Sequence, residues 1–119
     1  MKRQELGAAG EKLAQEYLKK KGYKVIETNF RCRHGEIDIV ARKDKSVVFV
    51  EVRTKSSDAF GTPEESITRQ TRERLVATAL AYLTSHPGLP ENWRIDLLAI
   101  EADRDGKARR VSLIENAVS

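Results

Sequence analysis

The chain has one cysteine, Cys32, and two histidines, His34 and His86, among its 119 residues. A single thiol excludes an internal disulfide and fits a reducing compartment. Cys32 and His34 lie two apart, but no second His/Cys pair exists to complete a tetrahedral structural zinc site. No apolar run approaches the roughly 18 to 20 residues that span a bilayer. The first residues are basic but lead into a mixed polar and apolar stretch, so no signal peptide is read and the cytoplasm is the expected compartment. Internal repeats and low-complexity segments are absent as well.

Charge is abundant. Lysine and arginine number 22 against 18 acids, for a net charge of +4 and an isoelectric point near 9.3, which weakly favours an anionic partner such as nucleic acid. With 39% hydrophobic and 34% charged residues, the composition is that of a soluble globular protein. The length suits one domain covering 1–119.

Leu6, Ala9, Leu13, Ala14, Tyr17 and Leu18 repeat at helical spacing and predict a first helix. Lys19, Lys20 and Lys21 crowd its end, where cations complement the helix dipole, and Gly22 is a natural stop. Glu11 falls about 20° beyond Leu18 on the helical wheel, at the border of the buried stripe. Tyr23 to Phe30 reads as a strand, and Arg31 to Gly35 as a basic connection of the kind that contacts phosphates. A second helix has two candidate starts, Thr62-Pro63-Glu64-Glu65 and Thr68, with Leu75, Val76, Ala79, Tyr82 and Leu83 as its core face. Trp93 to Ile100 is apolar on both faces, the pattern of an interior strand. Packing outweighs base stacking as the role of Trp93. Asp103-Arg104-Asp105-Gly106 is a turn into a last strand, Ala108 to Ile114. The order is αβββαββ, an α/β (α+β) domain with one mixed central sheet flanked by helices.

The stretch from Gly35 to Lys55 carries the chemistry. It reads as two alternating strands around a turn at Asp44-Lys45, with Ile37, Ile39 and Ala41 on one face of the first strand and Glu36, Asp38 and Val40 on the other. An even-length turn puts Asp38 opposite Glu51 and Glu36 opposite Arg53. Opposed residues have Cβ atoms roughly 5 Å apart, and like charges there repel. Either a divalent cation or Arg53 and Lys55 must lie between the two acids. Phosphodiester hydrolysis needs a positioned water and neutralisation of the phosphoryl oxygens, and carboxylate-bound Mg²⁺ or Mn²⁺ supplies both. A neighbouring cation then steadies the transition state.

Helix, Gly-Glu-Ile-Asp, then Val-Phe-Val-Glu-Val-Arg-Thr-Lys resembles the PD-(D/E)XK nuclease superfamily. More closely it resembles the bacterial YraN-like family of predicted endonuclease-like proteins. Gly10-Glu11, Tyr17-Leu18, Gly22-Tyr23, Asn29-Phe30-Arg31, Phe60-Gly61, Arg74-Leu75, Ala81-Tyr82-Leu83 and Trp93-Arg94-Ile95-Asp96 extend the likeness over nearly the whole chain. The resemblance implies a restriction-endonuclease-like core, with Asp38, Glu51 and Glu11 as ligands of Mg²⁺ or Mn²⁺. Glu51-x-Arg53 takes the place of the superfamily's E-x-K element. Arginine stays charged and cannot serve as a general base, although Lys55 faces the same way about 6 to 7 Å further along. The catalytic candidates are thus Asp38, Glu51, Arg53 and Lys55. Superfamily members meet nucleic acid near the start of the second helix, where this chain has Arg69-Gln70-Thr71-Arg72. With Arg31 and Arg33, Arg69, Gln70 and Arg72 are the nucleic-acid-binding candidates. The expected function is metal-dependent cleavage of DNA, branched or single-stranded forms included. The alternative is a non-catalytic nucleic-acid-binding module on a nuclease fold. Oligomeric state is not legible in the sequence.

Overall fold

A computed structural model describes residues 3–56, 65 and 67–118, the side chains of 3–8 excepted. The elements follow as α1 (Arg3–Lys20), β1 (Lys24–Cys32), β2 (Gly35–Lys43), β3 (Ser46–Ser56), α2 (Arg69–Ser85), β4 (Asn92–Ala102) and β5 (Ala108–Val118). The expected αβββαββ order is the observed one. The five strands form a single mixed sheet in spatial order β1-β2-β3-β4-β5, antiparallel except for β3 beside β4.

Each face of the sheet is covered by one helix. Ala14 and Leu18 of α1 pack on Ile39, Ala41, Val48, Val50, Leu98 and Ile100. Leu75, Ala79 and Tyr82 of α2 pack on Ile37, Val40, Val47, Phe49 and Ile95. Alternating side chains of β3 and β4 therefore enter two different cores, which is why these strands are apolar on both faces. On the α2 side the core is aromatic: Tyr82 meets Phe30 at 4.9 Å and Phe49 at 5.7 Å, edge to face, and Phe49 meets Trp93 at 6.0 Å. Trp93 is a packing residue, as expected.

Helix ends follow their local chemistry. Gly22 adopts φ +88°, Tyr23 N–H donates to Leu18 O (2.9 Å) and Gly22 N–H to Lys19 O (3.1 Å). This closes α1 with a Schellman motif whose hydrophobic partners, Leu18 and Tyr23, share one core. Thr68 caps α2, its Oγ1 accepting from Thr71 N–H at 3.1 Å. The other candidate start, Thr62 to Glu64, lies outside the described residues, as do the Phe60-Gly61 block and the side chain of Leu6.

Three expectations need correction. Arg31 is part of β1 rather than the connection and lies opposite Glu36 of β2. β5 runs four residues past Ile114, because a register shift around the left-handed Asn116 (φ +51°) brings Val118 back opposite Ile95. The alternation of β2 also breaks: Ile37 enters the α2 core while Ile39, two residues on, enters the α1 core. The break coincides with Asn29 on the neighbouring strand, which takes φ +54°, a conformation asparagine tolerates better than most residues. The two irregularities lie side by side, between the Thr28–Ile39 and Phe30–Ile37 pairs.

Asp96 is fully buried on β4. Its charge is met by Arg94 Nε at 3.0 Å, Asn116 N–H at 2.9 Å and the Tyr23 hydroxyl at 3.5 Å, while Arg94 also donates to the Tyr23 hydroxyl at 2.9 Å. Removing one partner of such a pair strands a buried charge, at a cost of about 3 to 5 kcal/mol. Arg94→Ala, which leaves the Asp96 carboxylate buried without its guanidinium, is therefore expected to lower the urea midpoint by that equivalent, whereas Asp38→Ala, which removes a half-exposed acid, is not.

Candidate metal centre

The β2–β3 hairpin turns through Asp44-Lys45, with Asp44 at φ +55°, and pairs Lys43 with Ser46, Ala41 with Val48 and Ile39 with Val50. This is the expected even-length register. The paired ladder ends at Ile39–Val50, one step before Asp38 and Glu51. Continued, it would place Val52 opposite Ile37. Instead Asp38 Oδ2 accepts the Val52 N–H at 2.8 Å, so a side chain replaces the missing strand partner. β3 continues alongside β4 as far as Ser56. The site thus sits in a fork where β2 leaves β3.

In the fork the carboxyl groups of Asp38 and Glu51 come close enough to perturb each other directly. Arg53 Nη2 lies 2.9 Å from Glu51 Oε2, and the Glu51 side chain is only 13% exposed. Burial, then the contact and charge of Asp38, push Glu51 up to about 9 against the opposing pull of Arg53. One guanidinium does not neutralise two facing carboxylates when one of them, Glu51, is largely shielded from water, so the pair retains a proton. The Nε of Arg53 is buried and has no partner among the described residues.

Glu11 approaches from α1. Its carboxyl is raised above the ordinary glutamate value by burial and by the charges of Asp38 and Glu36, while Asn29 and Arg31 act to lower it. The Asn29 amide nitrogen, oriented toward the acids, donates to Glu11 Oε1 (3.3 Å) and Glu36 Oε1 (3.1 Å). Glu11 comes this close because its neighbour is a glycine. A Cβ on Gly10 would lie 2.5 Å from Thr54 Oγ1, so α1 rests on β3 at a distance no side chain permits.

The sequence candidates are distributed as follows. Asp38 and Glu51 are brought into contact and Glu11 into electrostatic range. Arg53 is engaged with Glu51, and the expected Glu36–Arg53 pair does not form, because the strands have already parted; Glu36 pairs with Arg31 at 3.2 Å. Lys55 is half-buried further along β3 and has an interaction of its own. Arg31 and Arg33 are exposed. The α2 residues Arg74 and Thr78 lie against Gly35, so the first turn of α2, with exposed Arg69, Gln70 and Arg72, extends about 7 Å past that contact. Arg31 and Arg33 lie around the β1–β2 turn, seven and five residues before Asp38, and Arg69 and Arg72 line a groove with Val118 of β5. Sequence reasoning gave no role to Asn29, Glu36 or Gly10 in this cluster. The signal for Asn29 was an asparagine inside a strand, a residue that tolerates positive φ.

Among the described residues, no three or more His, Cys, Asp or Glu side chains converge as a ready metal cage. The Asp38–Glu51 pair still fits a hard divalent ion, since Mg²⁺ commonly takes only one or two protein carboxylates and keeps waters for the rest. Both donors are oxygens, and their mutual repulsion is what a cation would relieve.

A model of the Uncharacterised protein family UPF0102 matches residues 10–100, which include every one of these carboxylates. The chain belongs to that family. A UPF0102 protein of Syntrophomonas wolfei is 46% identical over 88% of this chain and 90% of its own length. One of Moorella thermoacetica is 42% identical over 98% of both, and one of Alkaliphilus oremlandii 40% identical over 94% and 96%. No helix among the described residues is long and apolar enough to cross a membrane.

The raised Glu51 sets a pH dependence for this UPF0102 chain. The folded protein keeps a proton that the unfolded chain releases above the ordinary value of 4.5, so metal-free stability falls as pH rises from there toward about 9. Glu51→Gln carries no such proton. In chelator at pH 8 its melting temperature is expected to exceed the parent's by at least about 4 °C, the size of roughly 1 kcal/mol, with the difference gone near pH 5. Equal melting at pH 8 would mean that Glu51 is ionised in the fold.

Proposed function

We propose that this chain is a metal-dependent endonuclease of the PD-(D/E)XK type that hydrolyses phosphodiester bonds in DNA, single-stranded or branched forms included. The observation that carries this reading is the Asp38–Glu51 contact in the strand fork, buried and short of positive charge. In this reading Asp38 and Glu51 hold Mg²⁺ or Mn²⁺, with Glu11 as a further ligand or as the holder of a water. Bound there, the ion would activate water and offset charge on the phosphoryl oxygens.

The residues around the ion then have separate tasks. Asp38 commits Oδ2 to the Val52 N–H, which fixes the carboxylate and leaves its other oxygen as the one that would hold a cation. Arg53 does not abstract a proton, since its guanidinium stays charged at any working pH. The accessible part of its guanidinium, on a side chain one-third exposed, is suited to a phosphate oxygen in the transition state. Lys55 is the one lysine of the candidate set and the residue able to exchange a proton. Arg31, Arg33, Arg69, Gln70 and Arg72 hold the nucleic-acid backbone.

A second reading, a nucleic-acid-binding module without turnover, is favoured by the Arg53–Glu51 ion pair at 2.9 Å, which occupies the place where the superfamily has lysine. The two readings separate in one assay. Purified protein is incubated with single-stranded, duplex and branched DNA in Mg²⁺ or Mn²⁺. Asp38→Ala and Glu51→Ala are each expected to reduce cleavage at least about a hundredfold. Cleavage equal in parent and both variants would trace the activity to a contaminant and sink the nuclease reading. An inactive parent that binds DNA and gains cleavage on Arg53→Lys would establish the second.

A further inference from the structure

The basic character of the chain is concentrated away from the carboxylates, at the closed end of the β2–β3 hairpin. Three segments converge there. Lys19, Lys20 and Lys21 end α1. Lys24 opens β1 directly opposite Arg42 of β2, and Lys43 and Lys45 flank Asp44 in the turn. Lys43 Nζ joins the segments by donating to Lys21 O at 2.7 Å and sitting 5.3 Å from the centre of the Tyr23 ring.

The cations at this end number seven. The carboxylates beside them are Asp44, Glu16 one helical turn back, and Glu91, next to the Asn92 that pairs with Ser46, while Glu115 is turned to Arg94 at 3.8 Å. The surplus of four equals the net charge of +4 for the whole chain, so the rest of the molecule is balanced overall. Lys19, Lys20, Lys24, Arg42 and Lys45 are exposed, and none pairs with a carboxylate among the described residues. The helix dipole accounts for lysines at the end of α1. It does not account for Lys24, Arg42 and Lys45, which come from strands and a turn.

We propose that this lysine-rich end is a second contact surface for nucleic-acid phosphates, holding the same strand or duplex that reaches the Asp38–Glu51 fork. The proposal rests on the nucleic-acid reading of that fork. Five residues of hairpin separate the two places, about 17 Å of extended strand, which matches about five base pairs of duplex at 3.4 Å each. A membrane surface fits less well. Peripheral insertion needs an apolar face beside the cations, and the exposed large hydrophobic among the described residues is Leu80, on α2.

The test is fluorescence anisotropy in chelator, with a labelled 20-base-pair duplex and a 20-nucleotide single strand, from 50 to 300 mM salt. The parent is compared with a variant carrying Lys20→Ala, Lys24→Ala, Arg42→Ala and Lys45→Ala, and with one carrying Arg31→Ala, Arg33→Ala, Arg69→Ala and Arg72→Ala. Removing phosphate contacts at the lysine end is expected to flatten the duplex salt slope by about 2 to 4, at up to 0.9 per contact, and to weaken binding at least tenfold. Melting curves for both variants confirm that each is folded. An unchanged slope in the lysine-end variant, with loss in the arginine variant, overturns the proposal and leaves the nuclease reading intact. Lysine-dependent binding to anionic phospholipid vesicles without binding to DNA overturns it in favour of a lipid surface. A parent that never cuts but binds with the lysine-dependent slope supports it while the nuclease reading fails.

Discussion

Like charges brought together where water is partly excluded set the terms for the whole carboxylate cluster. Asp38 and Glu51 are held face to face because β2 leaves β3 at that point, and the separation is built into the strands rather than into a loop. Asn29 takes a left-handed conformation on β1, and the side-chain alternation of β2 breaks beside it. The consequence is a carboxylate pair that keeps a proton, with Glu11 and Glu36 nearby and Arg31 and Arg53 acting to balance them. Such an arrangement opposes folding unless it is used.

The contrast with Asp96 shows that the fold can bury a carboxylate comfortably. Asp96 is more deeply buried than Glu51, yet it is answered by a guanidinium, a backbone N–H and a tyrosine hydroxyl. Nothing is left over, and the arrangement reads as structural. At the fork the acids exceed their partners, and an arginine nitrogen is left without an acceptor. The same sheet therefore carries one satisfied buried charge and one unsatisfied cluster, and the difference separates scaffold from site.

Element order was legible because both periodicities are clean: 3.6 in the helices and two in the strands. The hairpin register was legible for a different reason. A two-residue turn leaves only one way to pair what flanks it, so Asp38 and Glu51 could be placed together from their numbers alone. Sequence reasoning went astray where a strand stops being regular. Ile37 was placed on the same face as Ile39 because strict alternation requires it, and the expected Glu36–Arg53 pair assumed a ladder that continued. Both errors have one origin, a backbone irregularity whose cause is on the neighbouring strand. Gly10 was hidden differently. A glycine inside a helix reads as a weakness until the strand it rests on is known.

The hydrogen bond from Val52 N–H to Asp38 has a use outside the chemistry. Amides paired along the ladder are held by backbone oxygens, which carry no titratable charge, so their environment reports on the fold. The Val52 amide is held by an ionisable oxygen. Its proton resonance and its exchange with solvent therefore follow the charge on that carboxylate, and they do so whether or not any bond is ever cut. The protein contains its own voltmeter for the fork, one backbone amide wide.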